Sequence, residues 1–107
     1  MSLRVAMVGA GYFAQFQLEG WRDVDTPVVA VCDNNPSRAR ELADRFQIGA
    51  TFENAVAMLD EVQPDLLDLV LPPAAQAAVV FAAPERGVPT IFQKPFGLDL
   101  APARPMH

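Results

Sequence analysis

Short apolar runs alternate with longer segments of helical spacing along this chain. Five of the runs are too short for buried helices and are bounded by glycine, proline or polar residues, which is typical of strands buried on both faces. We therefore predict strands at 5–8, 28–32, 50–52, 66–71 and 90–92.

The segments between these strands repeat apolar residues every three or four positions, as helices that pack on a sheet do. The first helix is predicted to begin near Tyr12, and the second follows an Asn35 cap with Pro36 at its first position. Gly49 is expected to close the second helix. The predicted buried stripes are Phe13, Phe16, Trp21 and Val24 in the first helix, and Ala39, Leu42, Ala43 and Phe46 in the second.

Two further helices complete the alternation. One follows an Asn54 cap and ends before Pro64, and the other begins at about Ala74 and ends at Gly87. This alternation predicts an α/β fold, a Rossmann-like doubly wound parallel sheet of order 3-2-1-4-5 with helices on both faces. In such a sheet the ligand binds at the carboxyl ends of strands one and four, where the strand order reverses.

Composition and charge exclude several classes of function. The 107 residues are 51% hydrophobic with a net charge of −5, which suits one packed domain without the basic face that nucleic-acid binding needs. No apolar run approaches the ~20 residues of a membrane span, and the start lacks a signal-peptide pattern, so a cytoplasmic chain is expected. The single cysteine, Cys32, is expected as a small buried hydrophobe. It allows no intrachain disulfide, and no metal site is expected.

The first strand runs into Gly9-Ala10-Gly11-Tyr12-Phe13-Ala14, the pattern G-x-G-x-x-G/A. Gly9 permits the tight turn, Gly11 leaves room for a pyrophosphate against the backbone, and Ala14 lets the helix pack close to the sheet. The start of the helix supplies unpaired N–H groups and the positive end of the helix dipole, which favour an anion.

Asp33 follows the second strand about 20 residues beyond this turn, where a carboxylate can accept hydrogen bonds from an adenosine ribose. Together the turn and the aspartate predict a dinucleotide-binding unit. An ordinary strand–turn–helix followed by an unrelated aspartate is the alternative.

Gln93-Lys94-Pro95 follows the fifth strand, on the same edge of the sheet as the glycine turn. Lys94 could hydrogen-bond a nicotinamide ribose or a substrate hydroxyl there, or exchange a proton with an alcohol if it is desolvated. From the pattern alone, a solvated surface lysine is the alternative.

Four stretches carry a resemblance that no single motif would support. They are V-G-A-G-Y-F-A at the first strand, A-V-C-D-N-N-P-S-R-A-R at the second, L-V-L-P-P after the fourth and F-Q-K-P after the fifth. In this order and spacing, from Leu3 to about Leu98, they resemble the Gfo/Idh/MocA oxidoreductases, relatives of glucose–fructose oxidoreductase and inositol dehydrogenase. The resemblance implies an N-terminal Rossmann domain that binds NAD(H) or NADP(H), and hydride transfer to or from a sugar- or polyol-like alcohol.

The resemblance also implies which residues form the site. Gly9, Gly11, Tyr12 and Phe13 would line the pyrophosphate; Asp33 would hold the adenosine ribose beside Asn34 and Arg38; Pro72, Pro73, Gln76, Gln93 and Pro95 would border the cofactor; and Lys94 would be catalytic, near the nicotinamide and the substrate. Asp33 favours NAD, while Asn34 and Arg38 leave NADP as the alternative.

Three glutamines depart from the family pattern. Gln93 stands where the family usually has glutamate, and Gln76 and Gln17 stand where many members have histidine. An amide can still bond a ribose hydroxyl, but it carries no charge to pair with the lysine.

The resemblance divides the chain into a cofactor domain at 1–98 and an irregular tail at 99–107, the start of a second domain absent from this chain. Residues 99–101 resemble the start of a capped helix that Pro102 and Pro105 cut short. Without a second domain we expect cofactor binding but no turnover, and an exposed apolar surface that favours association into a homo-oligomer.

Two other functions fit the residues. A non-catalytic NAD(P)-sensing module is one alternative, since Gln93 and the missing histidines suit a site that has lost catalysis. A plain Rossmann domain for another adenosine ligand is the second.

Overall fold

The computed structural model describes residues 3–11, 13–71, 79, 82–94 and 97–101, with the backbone alone at 92–94 and 97–101. In this part of the chain six strands form one sheet, and three helices connect the first four strands. The elements are β1 (Val5–Val8), α1 (Ala14–Asp23), β2 (Val28–Cys32), α2 (Pro36–Phe46), β3 (Ala50–Phe52), α3 (Ala55–Val62), β4 (Leu66–Leu69), β5 (Thr90–Lys94) and β6 (Gly97–Ala101). A further helical stretch covers residues 82–85.

The sheet has the order β3-β2-β1-β4-β5-β6. Neighbouring strands from β3 to β5 are parallel, which confirms the predicted Rossmann-like sheet of order 3-2-1-4-5. The connections that follow β1 and β4 run in opposite directions across the sheet. The carboxyl ends of these two strands therefore border the crevice in which a doubly wound fold binds its ligand.

Helices cover both faces of the sheet, as predicted. Successive side chains of β1 point to opposite faces, so Met7 lies on one side, and Ala6 and Val8 lie on the other. The first face packs against α1 and α2 through Ala14, Leu18, Ala39 and Leu42, and the second packs against α3 and the stretch 82–85 through Met58, Leu59, Ala82 and Ala83. None of the helices described is long and apolar enough to cross a membrane.

The buried face of α1 differs from the predicted stripe. Ala14 and Leu18 are the buried residues of this helix, and Trp21 is partly buried. The small residue of the glycine fingerprint must touch the sheet, and it sets the helix rotation so that the positions four and seven residues later also face inward. Three residues of the predicted stripe lie largely in solvent: Phe13 (67% exposed), Phe16 (50%) and Val24 (64%).

The caps of α2 and α3 form as predicted. The side chain of Asn35 accepts hydrogen bonds from the N–H groups of Ser37 and Arg38, and that of Asn54 accepts one from Ala57. The prediction for the end of α2 was wrong, because Gln47 rather than Gly49 takes the left-handed conformation there, at φ 59°. The N–H groups of Gln47 and Ile48 both bond the carbonyl of Ala43, which offsets the strain of a left-handed non-glycine residue.

The chain after residue 96 also differs from the prediction. Residues 97–101 form strand β6, antiparallel to β5, with Lys94 opposite Gly97 and Thr90 opposite Ala101. A helix that starts at Asp99 would meet Pro102 within one turn, whereas an extended segment pairs the open edge of β5. The same pairing explains why β5 reaches Lys94, two residues beyond the predicted strand 90–92.

Candidate functional site

The turn after β1 places Gly9 between the ends of two neighbouring strands. Its N–H donates to the carbonyl oxygen of Cys32 at 2.7 Å, and its backbone has φ +108°, a conformation that side chains rarely allow. A Cβ atom at this position would collide with the carbonyl oxygen of Val70, which follows β4. Only glycine fits here, so the first glycine of the motif is required by the fold itself.

Gly11 lies in a different environment from Gly9. A Cβ atom built on Gly11 would meet no heavy atom of the described residues within 4 Å. Gly11 also lines a cavity of about 290 Å³ between α1 and α2. Neither the backbone conformation nor any described neighbour requires a glycine at this position. The effect of Gly11 is therefore to leave open space beside the backbone.

Helix α1 begins beside this open space. Its N-cap residue, Phe13, has no side-chain oxygen to accept a hydrogen bond, and the first turn carries no acidic side chain. The positive end of the helix dipole therefore favours an anion at this point. Several N–H groups around the turn are used within the protein: Ala10 donates to the Asp33 carboxylate, Ala14 donates to the carbonyl of Gly11, and both Phe16 and Gln17 donate to the carbonyl of Phe13.

The carboxylate of Asp33 joins the loops that follow β1 and β2. Asp33 is only 4% exposed, and its Oδ1 accepts a hydrogen bond from the N–H of Ala10 at 3.2 Å. Its Oδ2 accepts from the N–H of Asn35 at 2.9 Å and from Nε of Arg38 at 3.1 Å, and Nη2 of Arg38 lies 3.0 Å from the same oxygen. The hydrogen-bonding capacity of Oδ2 is thus largely used, whereas Oδ1 can accept a hydrogen bond from one further donor.

A cavity of about 390 Å³ opens beside Asp33 at the carboxyl edge of the sheet. Asn34 lines it from the loop after β2, Arg38 from the first turn of α2, and residues 53–56 from the start of α3. Leu71 and Val79 add apolar surface from the segment after β4. A cavity with apolar walls, two carboxylates (Asp33 and Glu53) and one arginine suits a flat heteroaromatic group attached to a polyhydroxylated ring.

Cys32 also borders this cavity but contributes no reactive thiol. Burial, reinforced by the neighbouring charge of Asp33, raises the pKa of Cys32 to about 11, so the thiol stays protonated near neutral pH. The cysteine is buried, which confirms its prediction as a small buried hydrophobe. Within the described ranges no cluster of three or more histidine, cysteine, aspartate or glutamate side chains could hold a metal ion.

Sequence reasoning missed a second buried carboxyl, that of Asp68 in β4. Its Oδ2 accepts hydrogen bonds from Nε2 of Gln17 at 2.9 Å and from Nε1 of Trp21 at 2.8 Å, and its Oδ1 has no partner among the described residues. Burial raises the pKa of Asp68, although the two hydrogen bonds act in the opposite direction. The signal in the sequence was an aspartate inside the apolar run 66–71, which is predicted to be buried on both faces.

The structure brings Gly9, Gly11, Phe13, Asp33, Asn34 and Arg38 together at the carboxyl edge of the sheet. The backbone of Gln93 and Lys94 ends β5 at that edge. The remaining predicted site residues lie outside the described residues: Tyr12, Pro72, Pro73, Gln76, Pro95 and the side chains of Gln93 and Lys94.

Comparisons with known proteins agree with this geometry. The chain is 38% identical to D-apiose dehydrogenase of Paraburkholderia graminis over 102 residues, which are 94% of this chain and 27% of that protein. It is 31% identical to D-glucoside 3-dehydrogenase of Escherichia coli, covering 97% of this chain and 30% of that protein. The chain thus spans less than a third of the length of these curated relatives.

A solved structure and a family model complete the comparison. An oxidoreductase from Agrobacterium radiobacter, solved in complex with NAD+, L-tartaric acid and magnesium, superposes with a TM-score of 0.83 at 32% identity, covering 91% of this chain and 29% of that one. The model of the oxidoreductase family with the NAD-binding Rossmann fold matches residues 3–107. The chain therefore belongs to the Gfo/Idh/MocA oxidoreductase family and is its NAD-binding Rossmann domain.

Proposed function

We propose that this chain is the cofactor domain of an oxidoreductase that transfers hydride between NAD and a sugar- or polyol-like alcohol. The observation that carries the proposal is the Asp33 carboxylate, which bonds the glycine turn through Ala10 and lines the adjoining cavity. The names of the relatives, a D-apiose and a D-glucoside 3-dehydrogenase, support a carbohydrate alcohol as the substrate class. No observation favours the alternative of a sensing module without catalysis.

In the proposed complex each part of the dinucleotide meets a separate part of the site. The pyrophosphate lies beside Gly11 and the start of α1, where open backbone and the helix dipole favour it. Oδ1 of Asp33 accepts a hydrogen bond from the adenosine ribose, and the cavity of about 390 Å³ takes the adenine. Tyr12 and Phe13 border the pyrophosphate, and Asn34 and Arg38 border the ribose.

The charge at the end of β2 favours NAD over NADP. Asp33 is buried, and its negative charge would face the 2′-phosphate of NADP at close range. Arg38 does not compensate in this arrangement, because both of its bonding nitrogens are directed at Asp33. We therefore expect NADPH to bind at least about ten times more weakly than NADH, as a like-charge contact worth ~1.4 kcal/mol requires.

We place the nicotinamide toward β5, across the crevice from Asp33. Bound NAD supplies the hydride acceptor, and the chain supplies Lys94 at the end of the strand that pairs with β4. An ammonium group there would donate a hydrogen bond to the nicotinamide ribose or to the reacting alcohol oxygen. Gln93, Pro95, Pro72, Pro73 and Gln76 are proposed as its neighbours along the cofactor.

The domain division is part of the same proposal. We propose residues 1–98 as the cofactor domain, with β6 crossing its boundary and extending the same sheet to residue 101. Orienting the cofactor leaves most of the barrier to hydride transfer in place, so we expect the 107 residues to bind NADH without oxidising a polyol.

Titration of the purified chain with NADH, followed by the change in NADH fluorescence, tests the proposed function. We expect saturable binding that ADP displaces, with NADPH weaker by the factor given above. Tight binding of another adenosine ligand without affinity for NADH would instead identify a Rossmann domain of a different function. Turnover of a polyol by this chain would contradict the proposal that it binds the cofactor without catalysing the reaction alone.

Lys94→Met tests the nicotinamide end of the proposed site. Loss of one hydrogen bond from a charged donor should weaken the binding of NADH by about 1.5–3 kcal/mol. ADP lacks the nicotinamide ribose and should bind as it does to the wild type. Calorimetric titration of both ligands against the variant measures the difference. An equal loss for NADH and ADP would place Lys94 elsewhere.

A further inference from the structure

We propose that Asp68 is a positioning residue that sets where helix α1 lies along the sheet, and thereby where the start of α1 meets the pyrophosphate. The inference rests on the proposed function and assigns a role to a carboxyl that lies outside the proposed binding site.

The contacts of Asp68 are directed at α1. Gln17 and Trp21 are one helical turn apart on the same face of α1, and both donate to Oδ2 of Asp68. Asp68 itself is 0% exposed and is paired with Met7 of β1 and Ile91 of β5. Its carboxyl therefore links α1 to β4. This strand lies between β1, which leads to Gly9, and β5, which ends at Lys94.

Apolar packing alone would not hold α1 at one height along the sheet. Ala14 and Leu18 bury the helix face, but hydrophobic contact is non-directional, whereas a hydrogen bond weakens steeply as its geometry changes. A slip of one residue moves a helix about 1.5 Å along its axis. Such a slip would break both bonds to Asp68 and would carry the first turn of α1 out of bonding distance of a phosphate.

The carboxyl is costly where it lies, which argues against a purely stabilising role. In the part of the chain that the structure describes, Oδ1 has no hydrogen-bond partner, and a buried polar atom without one is destabilising. The flanking residues of β4, Leu67 and Leu69, are fully buried leucines. Both leucines point to the opposite face of the sheet, so Asp68 is the polar side chain that β4 directs at α1.

The experiment compares three variants of the chain: Asp68→Asn, Asp68→Leu and the double variant Gln17→Met with Trp21→Phe. Asparagine keeps an acceptor oxygen for α1, leucine removes it, and the double variant removes both donors while leaving the carboxyl in place. NADH and ADP are titrated by fluorescence and calorimetry, adenosine is titrated by NMR, and thermal unfolding shows that each variant is folded. Asp33→Ala serves as the control variant in which the affinity for adenosine is expected to fall.

We expect Asp68→Leu and the double variant to bind NADH and ADP about 3- to 30-fold more weakly, the range set by a phosphate displaced from a helix terminus. Adenosine affinity should stay unchanged in both, and Asp68→Asn should bind all three ligands like the wild type. Equal losses for ADP and adenosine, or unchanged ADP affinity in both the leucine and the double variant, would overturn the positioning role. If the wild-type chain binds neither NADH nor ADP, the proposed function itself has failed. That outcome is distinct from a failure of the positioning role, which is judged from the affinities of the variants relative to the wild type.

Discussion

Gly9→Ala should lower the free energy of unfolding by about 2–5 kcal/mol, since a non-glycine residue at φ +108° is strained and its Cβ would displace the backbone after β4. The strand end has little freedom to yield, because the N–H of Val70 donates to the carbonyl of Val8 at 2.8 Å. Urea unfolding followed by circular dichroism measures the loss, and NADH affinity should fall in the fraction that stays folded.

Gly11→Ala is the matched control in the same turn. No described atom lies within 4 Å of its Cβ, so we expect stability to change by at most about 1 kcal/mol. The added methyl group should nevertheless occupy space that the pyrophosphate needs, and NADH binding should weaken at least tenfold. Equal destabilisation by the two substitutions would show that the glycines have the same structural role, contrary to the geometry.

Asp33→Ala should affect both the fold and the ligand. The variant loses the acceptor for Ala10, Asn35 and Arg38, and we expect a stability loss of about 2–4 kcal/mol because partly buried donors lose a charged partner. The affinities for NADH and adenosine should each fall by about 1–3 kcal/mol, through the lost charge-assisted bond to the ribose.

Two variants separate these effects. Asp33→Asn keeps one acceptor oxygen and should restore part of the stability, while its lower charge should narrow the preference for NADH over NADPH. Asp44→Ala removes an exposed aspartate of α2 and should change neither stability nor affinity by a measurable amount. NADH affinity that survives Asp33→Ala unchanged would remove Asp33 from the ligand site.

The parts of the fold that the sequence predicted correctly are those with local causes. The Asn35-Pro36 start of α2 needs only a side-chain acceptor and a fixed φ, and the short apolar runs need only neighbours on both faces. The strand order followed from the alternation of strands and helices, because right-handed crossovers leave few arrangements open. The family resemblance is confirmed by the family model, which matches residues 3–107.

The errors arose where a local pattern competed with a distant contact. Phe13 and Phe16 have helical spacing suited to a buried stripe, yet Ala14 decides which face of α1 turns inward because the sheet admits only a small side chain there. Residues 99–101 resembled the start of a capped helix, but the open edge of β5 offers backbone partners that no local pattern reveals, and these residues join strand β6.

The sequence by itself determined the order of the elements, the glycine turn and the aspartate after β2, since each depends on residue types a few positions apart. Tertiary structure alone decided that the Asp33 carboxylate bonds Ala10, 23 positions earlier in the chain, and that Asp68 bonds Gln17 and Trp21, 51 and 47 positions away. Hydrogen bonds between such distant residues depend on the register of the sheet and the rotation of α1. Both are set by packing across the whole domain rather than by any one segment.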